Sequence, residues 1–160
     1  MVKRYKDLIY ALLCLSFAII IGAAVYEHLA VWPRAYDAPP KSLSMFQGEF
    51  GLNPAPFWQS IHPVTLLLFT VTLIISWKTD RRKHVLLPLI GYVLVLITTF
   101  IYFVPELMEI VNTEYDDTVN QELTKRASQW ESLSLFRLVL LIVLSLVLNI
   151  GLTKGNSKIA

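Results

Sequence analysis

Imidazole, guanidinium and carboxylate groups interrupt the long apolar stretches of this chain, and they fall near stretch ends. His62 stands in the first turns of the second stretch, Arg137 lies about two turns inside the fourth helix, and Glu27 and Glu106 close the first and third stretches. A histidine changes charge near neutral pH and serves as a general base. An arginine in a water-poor site stabilises a developing oxyanion, and a carboxylate orients either one. His62, Arg137, Glu27 and Glu106 are therefore the expected catalytic group, able to take a proton from an ionisable hydroxyl and hold the anion. Trp58 and His62, four residues apart, share one helical face, and Trp130, Ser134 and Arg137 share another at i, i+4 and i+7. Trp58, Tyr102, Trp130 and Ser134 are the expected substrate-binding wall, with Trp32 and Phe46 from the first long connection as its roof. A plainer reading stays open beside this one. An intramembrane charge costs a few kcal/mol unless paired or solvated. A network in which Arg137 pairs with Glu27 or Glu106 would lock helices together with no chemistry at all.

A metal centre is not expected. Glu27, His28, His62, Glu106, Glu109 and Glu131 are suitable ligand types, but the chain has neither the Glu-x-x-His pairs of carboxylate-bridged bundles nor an HExxH motif. His28 and His62 make a thin case for haem. The expected cofactor is none. Cys14 is the sole cysteine and sits mid-stretch, which rules out an internal disulfide and CxxC redox chemistry.

The elements that must position these groups are four apolar stretches, roughly 8–26, 57–77, 85–104 and 133–152. Each is about the 20 residues needed to cross a bilayer core as a helix. Hydrophobic residues make up 55% of the 160 and charged residues 16%, well below the roughly 25% charge of soluble domains. The fold class expected is all-α: one integral membrane four-helix bundle over residues 1–160, in up-down topology. The first apolar run is longer than the h-region of a signal peptide, so it is expected to be retained. A net charge of +2 gives no footprint for nucleic acid. Lysine and arginine are unevenly placed: Lys3, Arg4, Lys6, Lys78, Arg81, Arg82, Lys83, Lys154 and Lys158 against Arg34, Lys41, Lys125 and Arg126. That bias predicts both termini in the cytoplasm, with the connections 28–56 and 107–130 facing outward. The first of these is rich in proline and aromatics and reads as a cap on the headgroups. The second reads as extensions of the third and fourth spans joined by a turn near Tyr115–Thr118.

Several of these residues carry a resemblance. Gly22-x-x-x-Tyr26 closes the first span with Pro33 after it. Phe46-Gln47 precedes Pro56-Phe57, Thr98–Pro105 leads into a polar residue, and Trp130 is followed seven residues later by Arg137. In this order the chain resembles the anthrone-oxygenase-like family of small four-helix membrane proteins over nearly its whole length. It departs where members carry Val-Pro-x-Asn, since Val104-Pro105 is followed here by Glu106-Leu107. It departs again at Leu135-Phe136, where members often have Asn-His. Some fungal members oxidise anthrones to anthraquinones, so the resemblance implies oxygen chemistry on a flat lipophilic substrate. The expected function is a cofactor-independent oxygenase acting on a lipophilic phenol or quinol. The alternative is a non-catalytic membrane module whose ion-pair network is structural and which binds a lipid or protein partner. Expected partners are the lipid bilayer and a lipophilic small molecule. The expected location is the cell membrane, multi-pass, as in a bacterial inner membrane.

Overall fold

The computed structural model describes residues 2–154. Helix is the only regular structure among them apart from turns, with no strand. The helices are α1 (Val2–Tyr26), α2 (Trp32–Ala35), α3 (Ala55–Ser76), α4 (Arg82–Thr98), α5 (Val104–Val111) and α6 (Gln121–Thr153). A π-helical turn, Glu27–Val31, joins α1 to α2, and another, Thr99–Phe103, joins α4 to α5. A 3-10 segment, Lys41–Phe46, follows α2. Four continuous helical segments are long and apolar enough to cross a membrane: Tyr5–Ala35, Ala55–Ser76, Arg82–Val111 and Gln121–Leu152. They are the spans of a multi-pass membrane protein and call for a lipid bilayer around them.

Three of the four segments are longer than the apolar runs that announce them. The first does not stop at Tyr26 but continues to Ala35, the third reaches Val111, and the fourth begins twelve residues before Leu133. The reason is local in each case. Pro33 and Pro105 each lack the N–H that would bond four residues back, and their rings crowd that carbonyl. In both places the helix widens instead of ending. The Trp32 N–H bonds to the Glu27 carbonyl and the Val104 N–H to the Thr99 carbonyl, five residues back. The proline then sits just past the widened turn. At the other end, Asn120 caps α6, its Oδ1 accepting from the Leu123 N–H at 3.0 Å.

The chain divides into two compact units, residues 1–22, 55–94 and 139–160 in one and 23–54 and 95–138 in the other. The core of the first is an aromatic trio. Phe17, Phe69 and Tyr92 lie with ring centroids 5.2–5.7 Å apart, two of the pairs edge to face. Ser16 and Thr65 share a hydrogen bond of 2.6 Å, and the Tyr10 hydroxyl donates to the Leu148 carbonyl at 2.8 Å. Gly91 matters because a Cβ there would come within 2.7 Å of the Leu144 side chain, so the missing side chain lets α4 and α6 close up. Arg81 is buried and ties the unit's basic end, donating to Asp7 and to the Leu152 and Lys154 carbonyls. Those carbonyls end α6 and need a donor there.

The core of the second unit is Trp32, Tyr36, Leu43, Phe103, Ile110, Leu123, Ala127 and Trp130, with Phe46 packed partly buried against it. Trp32 is 2% exposed and meets Trp130 edge to face at 4.8 Å. In the proline-rich connection the Trp32 ring is core, packed directly on Trp130. Gln47 fastens the connection, donating to the Val111 and Thr113 carbonyls. The Asn120 N–H does the same to the Pro39 carbonyl, and Lys41 pairs with Asp117 at 3.3 Å.

Candidate functional site

Arg137 sits on the face of α6 that also carries Trp130 and Ser134, as the i, i+4, i+7 spacing requires. Its Nη2 donates to Ser134 Oγ at 2.9 Å and its Nη1 to Thr99 Oγ1 at 3.0 Å. The guanidinium carbon lies 4.0 Å from the centroid of the Phe103 ring, a cation–π contact. Thr99 and Phe103 are the first and last residues of the second π-helical turn. Thr99 Oγ1 also donates to the Val95 carbonyl at 2.7 Å, which fixes its lone pairs toward the arginine. Glu27 opens the first π-helical turn, and its carboxylate is the charge that acts on Arg137. His28 follows it, half-buried, with its ring against the Ser134 backbone and within reach of the Arg137 charge. Both widened turns thus deliver side chains to one cationic centre, and π-helical insertions recur at functional sites.

The unit's arginines differ in what they hold. Arg126 is neutralised by carboxylates. It grips Glu106 with two parallel bonds of 2.8 and 2.9 Å and reaches Glu109 at 2.7 Å. Glu106, an expected member of the catalytic group, is thereby gripped by an arginine of the connection expected at 107–130. The hydrogen bonds of Arg137 run to neutral hydroxyls, with Glu27 acting on it through charge.

The expected wall residues distribute as follows. Trp130 is 2% exposed and its Nε1 donates to the Phe103 carbonyl at 2.9 Å, so it holds α6 to the second π-helical turn. Ser134 is buried beneath Arg137. Tyr102 is exposed, with its ring edge on Phe103. Trp58 and His62 belong to the other compact unit. Their rings stack at 5.4 Å, and His62 Nδ1 shares a 2.7 Å hydrogen bond with the hydroxyl of buried Tyr92. Within the second unit the expected residues Glu27, Trp130 and Ser134 gather about Arg137 and Phe103, and Glu106 is gripped by Arg126; within the first, His62 stacks on Trp58.

Sequence reasoning passed over Thr99, Phe103 and Tyr36. Thr99 and Phe103 bracket the stretch before Pro105, and the proline was the signal available. Tyr36 gave none. It is 7% exposed, stacks on Trp32 at 5.7 Å, and its buried hydroxyl has no hydrogen-bond partner among the described residues. Burial first, and then the charges of Glu131, Glu27 and Glu106, push its ionisation far above the ordinary tyrosine range, so it stays a neutral donor. Among the described residues no cluster of three or more histidine, cysteine or acidic side chains has the arrangement of a metal site.

No family model, curated protein or solved structure matches this chain.

Proposed function

We propose that this multi-pass membrane protein binds the oxyanion of a lipophilic phenol or quinol at Arg137 and promotes its oxidation. The observation that carries the reading is the choice of partners around that arginine. Its hydrogen bonds go to two hydroxyls and its lower face rests on an aromatic ring. A guanidinium held by hydroxyls leaves more of its field for an anion that forms beside it than one gripped by two carboxylates, as Arg126 is, even with the Glu27 charge nearby. His28, in the π-helical turn that Glu27 opens, is the imidazole assigned to take the hydroxyl proton. The deprotonated ring is electron-rich and gives electrons to dioxygen directly, a reaction that calls for no cofactor. The resemblance of the chain to anthrone-oxygenase-like proteins supports the same substrate class. The lysine and arginine bias supports an up-down arrangement with both termini in the cytoplasm of the cell and the Arg137 cluster toward the outer face.

A second reading has its own support. The Trp32 ring packs directly on Trp130, which favours a module whose polar residues serve to lock helices and whose partner is a lipid or a protein. One experiment separates the two. A flat hydrophobic phenol such as 1-naphthol and its methyl ether are titrated against the detergent-purified protein, with thermal unfolding and dioxygen uptake as readouts. The phenol should stabilise the protein and the ether should not, and Arg137→Gln should abolish the difference. Equal stabilisation by both compounds, or an undiminished effect in the variant, leaves the structural module as the function.

A further inference from the structure

The first compact unit carries an open groove of about 730 Å³ at its basic end. Its apolar wall is Leu73, Ile74 and Leu89, and its upper rim is Lys6, Trp77 and Lys78. Lys6 lies near the start of α1 and Lys78 just past the end of α3, yet both line the same groove. Among the described residues neither ammonium group makes an ion pair. The other polar groups of the wall are already satisfied: Thr70 donates to the Leu66 carbonyl at 2.9 Å and Thr79 to the Ser76 carbonyl at 2.9 Å. The side chains left to meet a ligand are therefore two cations above and aliphatic groups below. Trp77 marks the level between them. It is half exposed, and the Arg82 guanidinium lies 3.8 Å from its ring centroid; an indole beside a cation at the end of an apolar helix is the arrangement tryptophan favours at a membrane interface. From Ser76, at the end of α3, down to Thr70 the helix descends about 9 Å at 1.5 Å per residue, enough for the head-proximal part of an acyl chain.

We propose that this groove is a binding site for one anionic phospholipid, its phosphate between Lys6 and Lys78 and an acyl chain along Leu73, Ile74 and Leu89. Charge complementarity carries the choice of an anionic over a zwitterionic lipid, since two lysines near a bilayer surface each attract anionic headgroups. The site is independent of the Arg137 cluster and of any activity there.

The test is native mass spectrometry of the full-length protein released from mixed micelles. Phosphatidylglycerol and phosphatidylcholine with identical acyl chains compete for retention. Phosphatidylglycerol should be retained roughly tenfold better. The preference should vanish in the K6Q/K78Q double variant and survive in K83Q, which removes a neighbouring exposed lysine outside the groove. Ile74→Trp should lower phosphatidylglycerol retention with both lysines intact, and it serves if the double variant does not fold. Inorganic phosphate at the same concentration should not displace the lipid. Equal retention of the two lipids overturns the proposal. So does a preference that persists in the double variant, an equal loss in K83Q, or displacement by phosphate alone. A dimer that retains neither lipid and dissociates on Ile74→Trp would place a second copy in the groove, and would overturn it too.

Discussion

At the scale of single residues, the informative contrast is between two arginines a few turns apart on α6. Arg126 is paired with Glu106 and Glu109, and its side chain and that of Glu106 are 37% and 21% exposed. Partial exposure discounts the pair, but the two-bond geometry places it at the upper end for such contacts, about 1 kcal/mol. A double-mutant cycle on Glu106→Gln and Arg126→Ala should return that coupling in thermal unfolding, falling with added salt. The same cycle on Glu106 and Arg137 should return none. Arg137 is worth more, because losing it removes two hydrogen bonds and a ring contact and takes away a positive charge that acts on Glu27. Arg137→Gln should destabilise by about 2 kcal/mol, and Thr99→Val by about 1 kcal/mol. A variant of Arg137 that unfolds like the parent would remove the cluster from any account of this protein.

At the scale of elements, the two π-helical turns explain how a helix with a proline stays continuous and why it carries function where it does. Each ends just ahead of its proline, at Val31 before Pro33 and at Phe103 before Pro105. Widening the turn relieves the ring–carbonyl clash and re-aims the residues within it, which is how Thr99 and Phe103 come to face one guanidinium. Pro105→Ala removes the cause. Ordinarily proline to alanine inside a helix stabilises by up to about 3 kcal/mol; here the gain should be largely offset as Thr99 and Phe103 turn away. The check is coupling between Thr99→Val and Arg137→Gln. It should be about 1 kcal/mol in the parent and close to zero in the Pro105→Ala background. Unchanged coupling would mean that the turn is held by tertiary packing and not by the proline.

At the scale of the whole molecule, α6 spans 33 residues, about 50 Å of helix against a hydrocarbon core of about 30 Å. Its first turns, Gln121–Trp130, are polar and belong beyond that core. The lysine and arginine bias makes the orientation a prediction: a reporter fused after Ala160 should be active only as a cytoplasmic type. Activity of a reporter that needs export would invert the arrangement and move the Arg137 cluster to the inner face.

The sequence by itself determined the helical, membrane-spanning class of the protein and the helix face on which Arg137 stands. Apolar runs of membrane-spanning length leave the backbone no alternative to helix in lipid, and spacing alone put Trp130, Ser134 and Arg137 on one face. The prolines at 33 and 105 marked where helices would be disturbed, although not that they would widen and continue. Partner choice was decided only by the tertiary structure. Glu27, Glu106 and Glu109 are chemically equivalent in the sequence, and which of them meets Arg126 or Arg137 depends on through-space geometry. His62 takes the Tyr92 hydroxyl 30 residues away, from a stretch that reads as purely apolar. Trp32 is core because Trp130 faces it. Periodicity fixes the face a side chain occupies, but the identity of its neighbour is set by the packing of helices far apart in the chain.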